Sequence, residues 1–248
     1  MTRLQDLGIE KDDIDAQLEA LRTRKRAIGA EIRALRQGDL HLPPDDIVAI
    51  RGHRVYVGGH TPEKWYGIGK RQFHYLVSRG LRPNHRFLDI ACGSLRLGQY
   101  LIPYLDTGHY HGVEGSEPLV AAGLKNELLF DLATLKAPRF GYGYGFDFGF
   151  VEGFDYAIAQ SLFTHLTRAD IALCFANLRP IAQPDSRFYF TFFEGDEAQN
   201  AHAESHANLR WEYSFDAMKE MAGDGWTLNY IGDWGHQADQ RMVCATPR

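Results

Sequence analysis

At 248 residues, with 44% hydrophobic and 24% charged side chains, the chain can hold one α/β domain plus an appendage, and its composition excludes a disordered or fibrous protein. A net charge of −5 supplies no basic face for nucleic acid, no run is apolar for the length of a bilayer, and the polar start MTRLQDLGIEKDD does not read as a secretory signal. Cys92, Cys174 and Cys244 are odd in number, far apart and without a CxxC pair, which reads as reduced core thiols in a cytoplasmic protein with no membrane partner.

Residues 1–37 read as one amphipathic, coiled-coil-type helix. Leu4, Leu7, Lys11, Ile14, Leu18, Leu21, Lys25, Ile28, Ile32 and Leu35 follow alternating steps of three and four, with Leu7, Ile14, Leu21, Ile28 and Leu35 at every d position of a heptad. Such a helix either lies on its own domain or pairs in a homodimer; the narrow stripe and charged flanks favour self-association. Residues 38–63 read as a linker. Gly38 and Pro43-Pro44 stop the helix, and IVAI and RVYV on either side of Arg51-Gly52-His53 predict a small hairpin.

The remaining residues, 64–248, read as a single α/β domain. A helix over KWYGIGKRQFHYLVSRG ends at Gly80. Strand-like runs follow at RFLDI, YHGVE, FDYAIAQ, RFYFTFF, TLNYIGDW and RMVCAT. Helical runs lie between most of them, and the last, SFDAMKEMAG, has Ser214 as N-cap and Gly223 near its stop. Alternating short strands and helices predict a doubly wound, mostly parallel sheet of Rossmann-like type, and such sheets bind ligands beyond the carboxyl ends of their strands.

The first strand-to-helix turn is LDIACGSLRLG, residues 88–98, where Gly93 permits a tight bend beside Asp89. At the end of the next strand Glu114, in GVEGSE, can accept hydrogen bonds from both hydroxyls of an adenosine ribose. Two cofactors suit a turn of this kind. A dinucleotide fingerprint wants three glycines, and here its positions are Ala91, Gly93 and Arg96. The charge of Asp89 suits a sulfonium with an ammonium group better than a pyrophosphate, which favours S-adenosyl-L-methionine.

These segments, together with FDF, FDYAIAQSLFTHL and LRPIAQPDSRFYFTFFE, resemble the successive motifs of class I S-adenosylmethionine-dependent methyltransferases over Trp65 to the C-terminus, most closely the bacterial small-molecule or glycan type. The resemblance implies a seven-stranded sheet whose antiparallel last strand is RMVCAT. It also implies that Asp89, Ala91, Cys92, Gly93 and Ser94 line the methionine part of the cofactor. Glu114, with Gly115 and Ser116, would hold the ribose, Asp147 and Phe148 would flank the adenine, and Gln160 with Ser161 would lie under the transferable methyl. Ala91 departs from the family's usual glycine and is tolerable there with a negative φ.

For the chemistry, His165 in QSLFTHL is the candidate general base, or else a histidine that packs or caps. Tyr66, Glu194, His202 and His206 are candidate acceptor contacts, the last two in a polar stretch, 196–212, that reads as a lid. His202 and His206 have metal-ligand spacing but lack the HExxH order, so solvated lid histidines and no metal site are expected. The run GYGYG, 141–145, reads as a loop or short third strand shaping the adenine pocket. The expected activity is O-methylation of a small-molecule or glycan hydroxyl. The rivals are a nicotinamide-dependent oxidoreductase on a similar sheet and a non-catalytic scaffold with a vestigial cofactor pocket.

Overall fold

The computed structural model describes residues 3–38, 42, 44–197, 200, 203–207 and 209–248. The chain divides into two compact units, Met1–Leu42 and Pro43–Arg248. The first is one long helix, α1 (Arg3–Gly38), on which the heptad residues Leu7, Ile14, Leu21 and Ile28 are 44%, 50%, 65% and 43% exposed.

The second unit opens with α2 (Pro44–Arg51) and α3 (His53–Tyr56), not with the hairpin that the β-branched runs suggest. Gly52 has φ 82 and links two short helices, and Tyr56 N–H closes back onto the Gly52 carbonyl at 3.1 Å. One face of α2 is buried at Ile47 while Ile50 is open to solvent, so one-sided helical packing overrides β propensity here. A π-helical turn, Glu63–Gly67, then runs into α4 (Ile68–Ser78).

Strands and helices alternate from there: β1 (Phe87–Ile90), α5 (Gly98–Tyr104), β2 (Tyr110–Glu114), α6 (Glu117–Glu127), α7 (Leu132–Lys136), β3 (Arg139–Tyr142) and β4 (Phe154–Ala159). The chain continues through α8 (Arg168–Leu178), β5 (Ala182–Glu194), a two-residue β6 (Glu212–Tyr213), α9 (Phe215–Ala222), β7 (Trp226–Asp233) and β8 (Arg241–Pro247). Ser214 caps α9, its hydroxyl accepting from Ala217 N–H, and Gly223 ends it at φ 67.

The sheet runs β3-β2-β1-β4-β5-β8-β7, with β6 added beside β5. β1 to β5 are mutually parallel, and β8 is antiparallel to both neighbours, as expected for RMVCAT. Side-chain alternation splits the core into two layers. Phe188, Phe190 and Phe192 point to the α8–α9 side with Leu88, Ile90, Val243 and Met218. Phe87, Tyr189, Met242 and Cys244 point to the opposite side with Leu76, Leu101 and Val120. All three cysteines are buried and free. No described helix is long and apolar enough to cross a membrane. This two-sided sheet brings the carboxyl ends of β1, β2, β4 and β5 to one edge, which is where a doubly wound sheet binds its ligands.

Candidate cofactor and acceptor site

The turn after β1 is a tight left-handed knuckle. Ala91, Gly93 and Leu95 have φ of 60, 56 and 66, so the left-handed region recurs at every second residue and only the middle one is glycine. This overturns the expectation of a negative φ at Ala91. The turn is held by Cys92 N–H to the Val113 carbonyl of β2 (3.0 Å) and, within itself, by Leu95 N–H to the Cys92 carbonyl (3.1 Å). α6 packs directly on the turn: a Cβ on Gly123 would fall 2.6 Å from the Ser94 carbonyl oxygen.

Glu114 ties this knuckle to β2. Its Oε2 accepts from Gly93 N–H (2.9 Å), and its Oε1 accepts from Gly115 N–H (2.9 Å) and Ser116 N–H (3.3 Å). Burial pushes its carboxyl above the usual range, against the pull of the three amides. A carboxylate has about four acceptor positions, so one remains on Oε2. The 70% exposed Tyr144 ring packs against Gly115 beside it, 2.2 Å from where a Cβ would be. Ser116 caps α6, accepting from Leu119 N–H (3.3 Å).

Asp89 sits deeper. Its carboxylate accepts from the Tyr110 hydroxyl (2.8 Å), and burial first, with Glu114 adding, raises its pKa to about 7. Asp147 accepts from Gly149 N–H (2.8 Å) in a local turn after β3, and Phe148 is buried in the core next to it. GYGYG is part strand and part loop, since β3 ends at Tyr142.

At the end of β4, Gln160 is the centre of a polar network. Its Oε1 accepts from Gln72 Nε2 (2.6 Å) and Arg96 Nη2 (3.1 Å), and its Nε2 donates to Ser161 Oγ (2.6 Å) and Gln240 Oε1 (3.1 Å). Thr191 on β5 fixes the corner from below, accepting from Ser161 N–H (2.8 Å) and donating to Gln240 Oε1 (2.9 Å). His165 lies one turn beyond Gln160 and meets the Leu209 carbonyl through Nδ1 at 2.5 Å. A carbonyl only accepts, so the ring proton is on Nδ1 and the basic nitrogen is Nε2. His206 N–H donates to the His165 carbonyl (3.1 Å) and Ser205 Oγ accepts from Thr167 N–H (2.8 Å), hanging the expected lid segment on the chain after β4. Burial lowers the His206 pKa. His202 lies outside the described residues.

Two further candidate contacts have partners of their own. Glu194 is engaged at the β7–β8 edge, accepting from the Tyr230 hydroxyl (2.6 Å) with Arg241 at 3.6 Å. The Tyr66 hydroxyl accepts from Arg54 Nη2 (3.1 Å), whose guanidinium carbon is 5.2 Å from that ring and 5.2 Å from Trp65.

Sequence reasoning missed the clamp behind Tyr66. The buried Glu127 carboxylate receives Arg54, His53 and Trp65, and so seats α3 over the glycine turn, where Val57 Cγ1 lies 3.1 Å from a Cβ built on Gly93. It also missed Arg71, Gln72, His236 and Gln240, whose spacing in sequence carries no motif. Arg96 was visible only as a glycine that was absent.

No family model matches the chain. Solved structures do. The glycopeptide N-methyltransferase MtfA complexed with S-adenosyl-L-methionine is 16% identical, with a TM-score of 0.56 over 73% of this chain and 94% of that one. Magnesium protoporphyrin IX methyltransferase from Synechocystis PCC 6803 is 18% identical, with a TM-score of 0.56 over 84% of this chain and 99% of that one. A TehB-like methyltransferase from Corynebacterium glutamicum is 18% identical, with a TM-score of 0.54 over 82% and 97%. The chain has the fold of S-adenosylmethionine-dependent methyltransferases. On a methyltransferase fold the glycine turn, Glu114 and Gln160 all stand along one carboxyl-end crevice, at the ends of β1, β2 and β4.

Proposed function

We propose that this chain is an S-adenosylmethionine-dependent methyltransferase that O-methylates a small molecule or glycan. The observation that carries this reading is Glu114, a carboxylate at the end of β2 held by three backbone amides with one acceptor position still open, next to Gly115, whose missing side chain leaves room for an aromatic ring. The residues present fit the cofactor. The open position on Oε2 suits a ribose hydroxyl, and a glycine against which an aromatic ring already packs suits a purine. Asp89 and Glu114, both raised by burial, are acids whose ionised forms a cationic ligand would favour.

Ala91 to Ser94 would then line the methionine part, Glu114 to Ser116 the ribose, and Asp147 with Phe148 the adenine. When bound, the cofactor supplies a sulfonium methyl for in-line displacement, and the chain's own task is alignment in a dry pocket. Gln160 and Ser161, fixed by Thr191 and Gln240, would form the floor beneath that methyl. His165, with its proton held on Nδ1 by Leu209, would take the hydroxyl proton through Nε2. Tyr66, Glu194, His202 and His206 remain candidate contacts for the acceptor rim. The exposed seam Leu7, Ile14, Leu21 and Ile28 supports pairing of α1 with a second copy. The buried free thiols support a cytoplasmic setting.

The test is calorimetry with S-adenosylhomocysteine and with NAD, followed by methyl-labelled cofactor and fractionated cell extract. The expected result is binding of S-adenosylhomocysteine alone and label in a low-mass or glycan fraction. Binding of NAD without S-adenosylhomocysteine would sink the reading in favour of the oxidoreductase. Tight S-adenosylhomocysteine binding with no labelled fraction would leave the scaffold.

A further inference from the structure

The corner between β4, β5 and the β7–β8 turn holds more hydrogen-bond donors than it has acceptors for them. Arg96 reaches it from the glycine turn, its Nη1 donating to the Val57 carbonyl (3.2 Å) and its Nη2 to Gln160 Oε1 (3.1 Å). Arg71 reaches it from α4, its Nη1 lying 3.7 Å from a Cβ built on Gly235. Among the described ion pairs neither arginine has a carboxylate within 4 Å. Among the described residues the acid that acts on Arg96 is Asp89, through space, and its carboxylate is already engaged by Tyr110.

His236 sharpens the imbalance. Its ring stacks on Trp234 at 5.3 Å, and its Nδ1 accepts from Ala238 N–H (3.2 Å), so the neutral ring carries its proton on Nε2. That Nε2 faces the Gln160 amide nitrogen at 3.4 Å, donor against donor. Burial, with Arg96 and Arg71 adding, holds the His236 pKa down to about 4, so the ring is neutral at physiological pH. Trp234 Nε1, on a side chain 8% exposed, has no partner, and the unpaired acceptors beside it among the described residues are Gln72 Oε1 and the hydroxyl of Tyr75, whose ring meets Trp234 at 6.0 Å. A half-buried site with two guanidinium groups that lack a carboxylate, an imidazole N–H and a buried indole N–H holds fewer oxygen atoms than donors to receive.

We propose that this corner is the subsite for an oxyanion carried by the methyl acceptor, a carboxylate or phosphate group separate from the atom that is methylated. The inference rests on the methyltransferase reading above and narrows its acceptor to an acidic small molecule or an acidic glycan. The planar fork of an arginine suits either group, and lysine does so only as a point charge.

The test uses ¹⁵N-labelled full chain saturated with S-adenosylhomocysteine and titrated with inorganic phosphate against chloride at constant ionic strength. It follows the Trp234 indole N–H, assigned by Trp234→Phe. The expected result is a saturable shift whose Kd rises at least tenfold in Arg71→Met and recovers in part in Arg71→Lys. No saturable shift, a shift that chloride reproduces, or one that Arg71→Met leaves unchanged would overturn the proposal.

A second arm separates the acceptor's anion from the cofactor's own carboxylate, using 5′-methylthioadenosine, which lacks the amino-acid part. If Arg71→Met weakens S-adenosylhomocysteine but not methylthioadenosine, and phosphate competes with the former, the anion is the cofactor's and the acceptor subsite is refuted. If the wild type binds neither nucleoside, the methyltransferase reading is what fails. Phosphate titration of the free protein then reads the oxyanion corner by itself.

Discussion

Arg54 forks onto Glu127, Nε to Oε1 at 2.6 Å and Nη2 to Oε2 at 2.8 Å, and this pair fastens α3 across the glycine turn. His53 Nε2 (2.8 Å) and Trp65 Nε1 (3.0 Å) complete the set of donors around one buried carboxylate. Burial pushes the Glu127 carboxyl up, but the bonds from Arg54 and His53 outweigh it and hold the pKa below its usual 4.5. A carboxyl depressed in the folded state stabilises above its unfolded pKa, and that stability is lost as pH falls through the folded value. The clamp therefore weakens below about pH 4.5. Glu127→Ala is expected to cost about 2–4 kcal/mol, because it strands a partly buried guanidinium, and to loosen S-adenosylhomocysteine binding as well. Urea unfolding and calorimetry on the same variant measure both; an unchanged affinity would show that α3 does not govern the cofactor turn.

Ala91→Gly is expected to stabilise the protein. An L-residue in the left-handed region costs roughly 1–2 kcal/mol, while glycine returns about 0.5–1 kcal/mol of that in unfolded-chain entropy. A net gain of up to about 1 kcal/mol should appear as a higher urea midpoint with an unchanged slope. Leu95→Gly should behave oppositely despite its φ of 66, since Leu95 is fully buried in the core layer beneath the turn. Its loss costs about 2–5 kcal/mol of packing.

The alternation of strand and helix from Phe87 onward was legible because it rests on local pattern, and so was the antiparallel RMVCAT strand once the resemblance was drawn. The glycine turn and Glu114 were legible because backbone chemistry demands those residue types at those places. Ala91 was misjudged because φ is set by the sheet through Cys92 and Val113, which nothing local announces. IVAI and RVYV mislead for a related reason, as α2 is a helix only by virtue of the domain that buries Ile47. The donor-rich corner was invisible. Arg71, Arg96, Gln160 and His236 come from four separate elements, and only the fold makes them neighbours.

Asp89→Asn is expected to raise the stability of the ligand-free protein at pH 8. The folded pKa of about 7 lies above the usual 3.8, so the folded state binds the extra proton between those values. Stability from this group is complete below 3.8 and is lost as pH rises to 7. Asparagine keeps an acceptor for Tyr110 without the buried charge, giving a gain of about 2–4 kcal/mol at pH 8 that shrinks toward pH 4. Thermal unfolding across that range reads the effect, and a gain independent of pH would contradict the assignment. Cofactor affinity should fall in the same variant.

Leu21→Glu is expected to split a homodimer without changing the unfolding of the second unit. Leu21 is 65% exposed on α1 and occupies a d position, where a charge opposite its copy is strongly unfavourable. Light scattering at matched concentrations should report a mass falling from two chains to one. Deleting residues 1–37 should do the same, and an unchanged mass in both would remove the coiled-coil pairing.

His165 separates a base from an anchor. If Nε2 takes the acceptor's proton, His165→Asn should lower kcat by about 10²–10³-fold with little change in KM, and the acidic limb of the pH–rate profile should vanish. Asparagine can still donate to the Leu209 carbonyl, so the lid segment stays attached and stability should move by less than about 1 kcal/mol. If the histidine only anchors the lid, His165→Asn would keep kcat and the pH profile. His165→Ala would then raise KM and lower the melting temperature, since it alone removes the donor that the Leu209 carbonyl requires. The Asn variant thus loses kcat under the first role and keeps it under the second, while Ala is impaired under both, and a kcat measured across pH 5.5 to 8.5 for both decides between them.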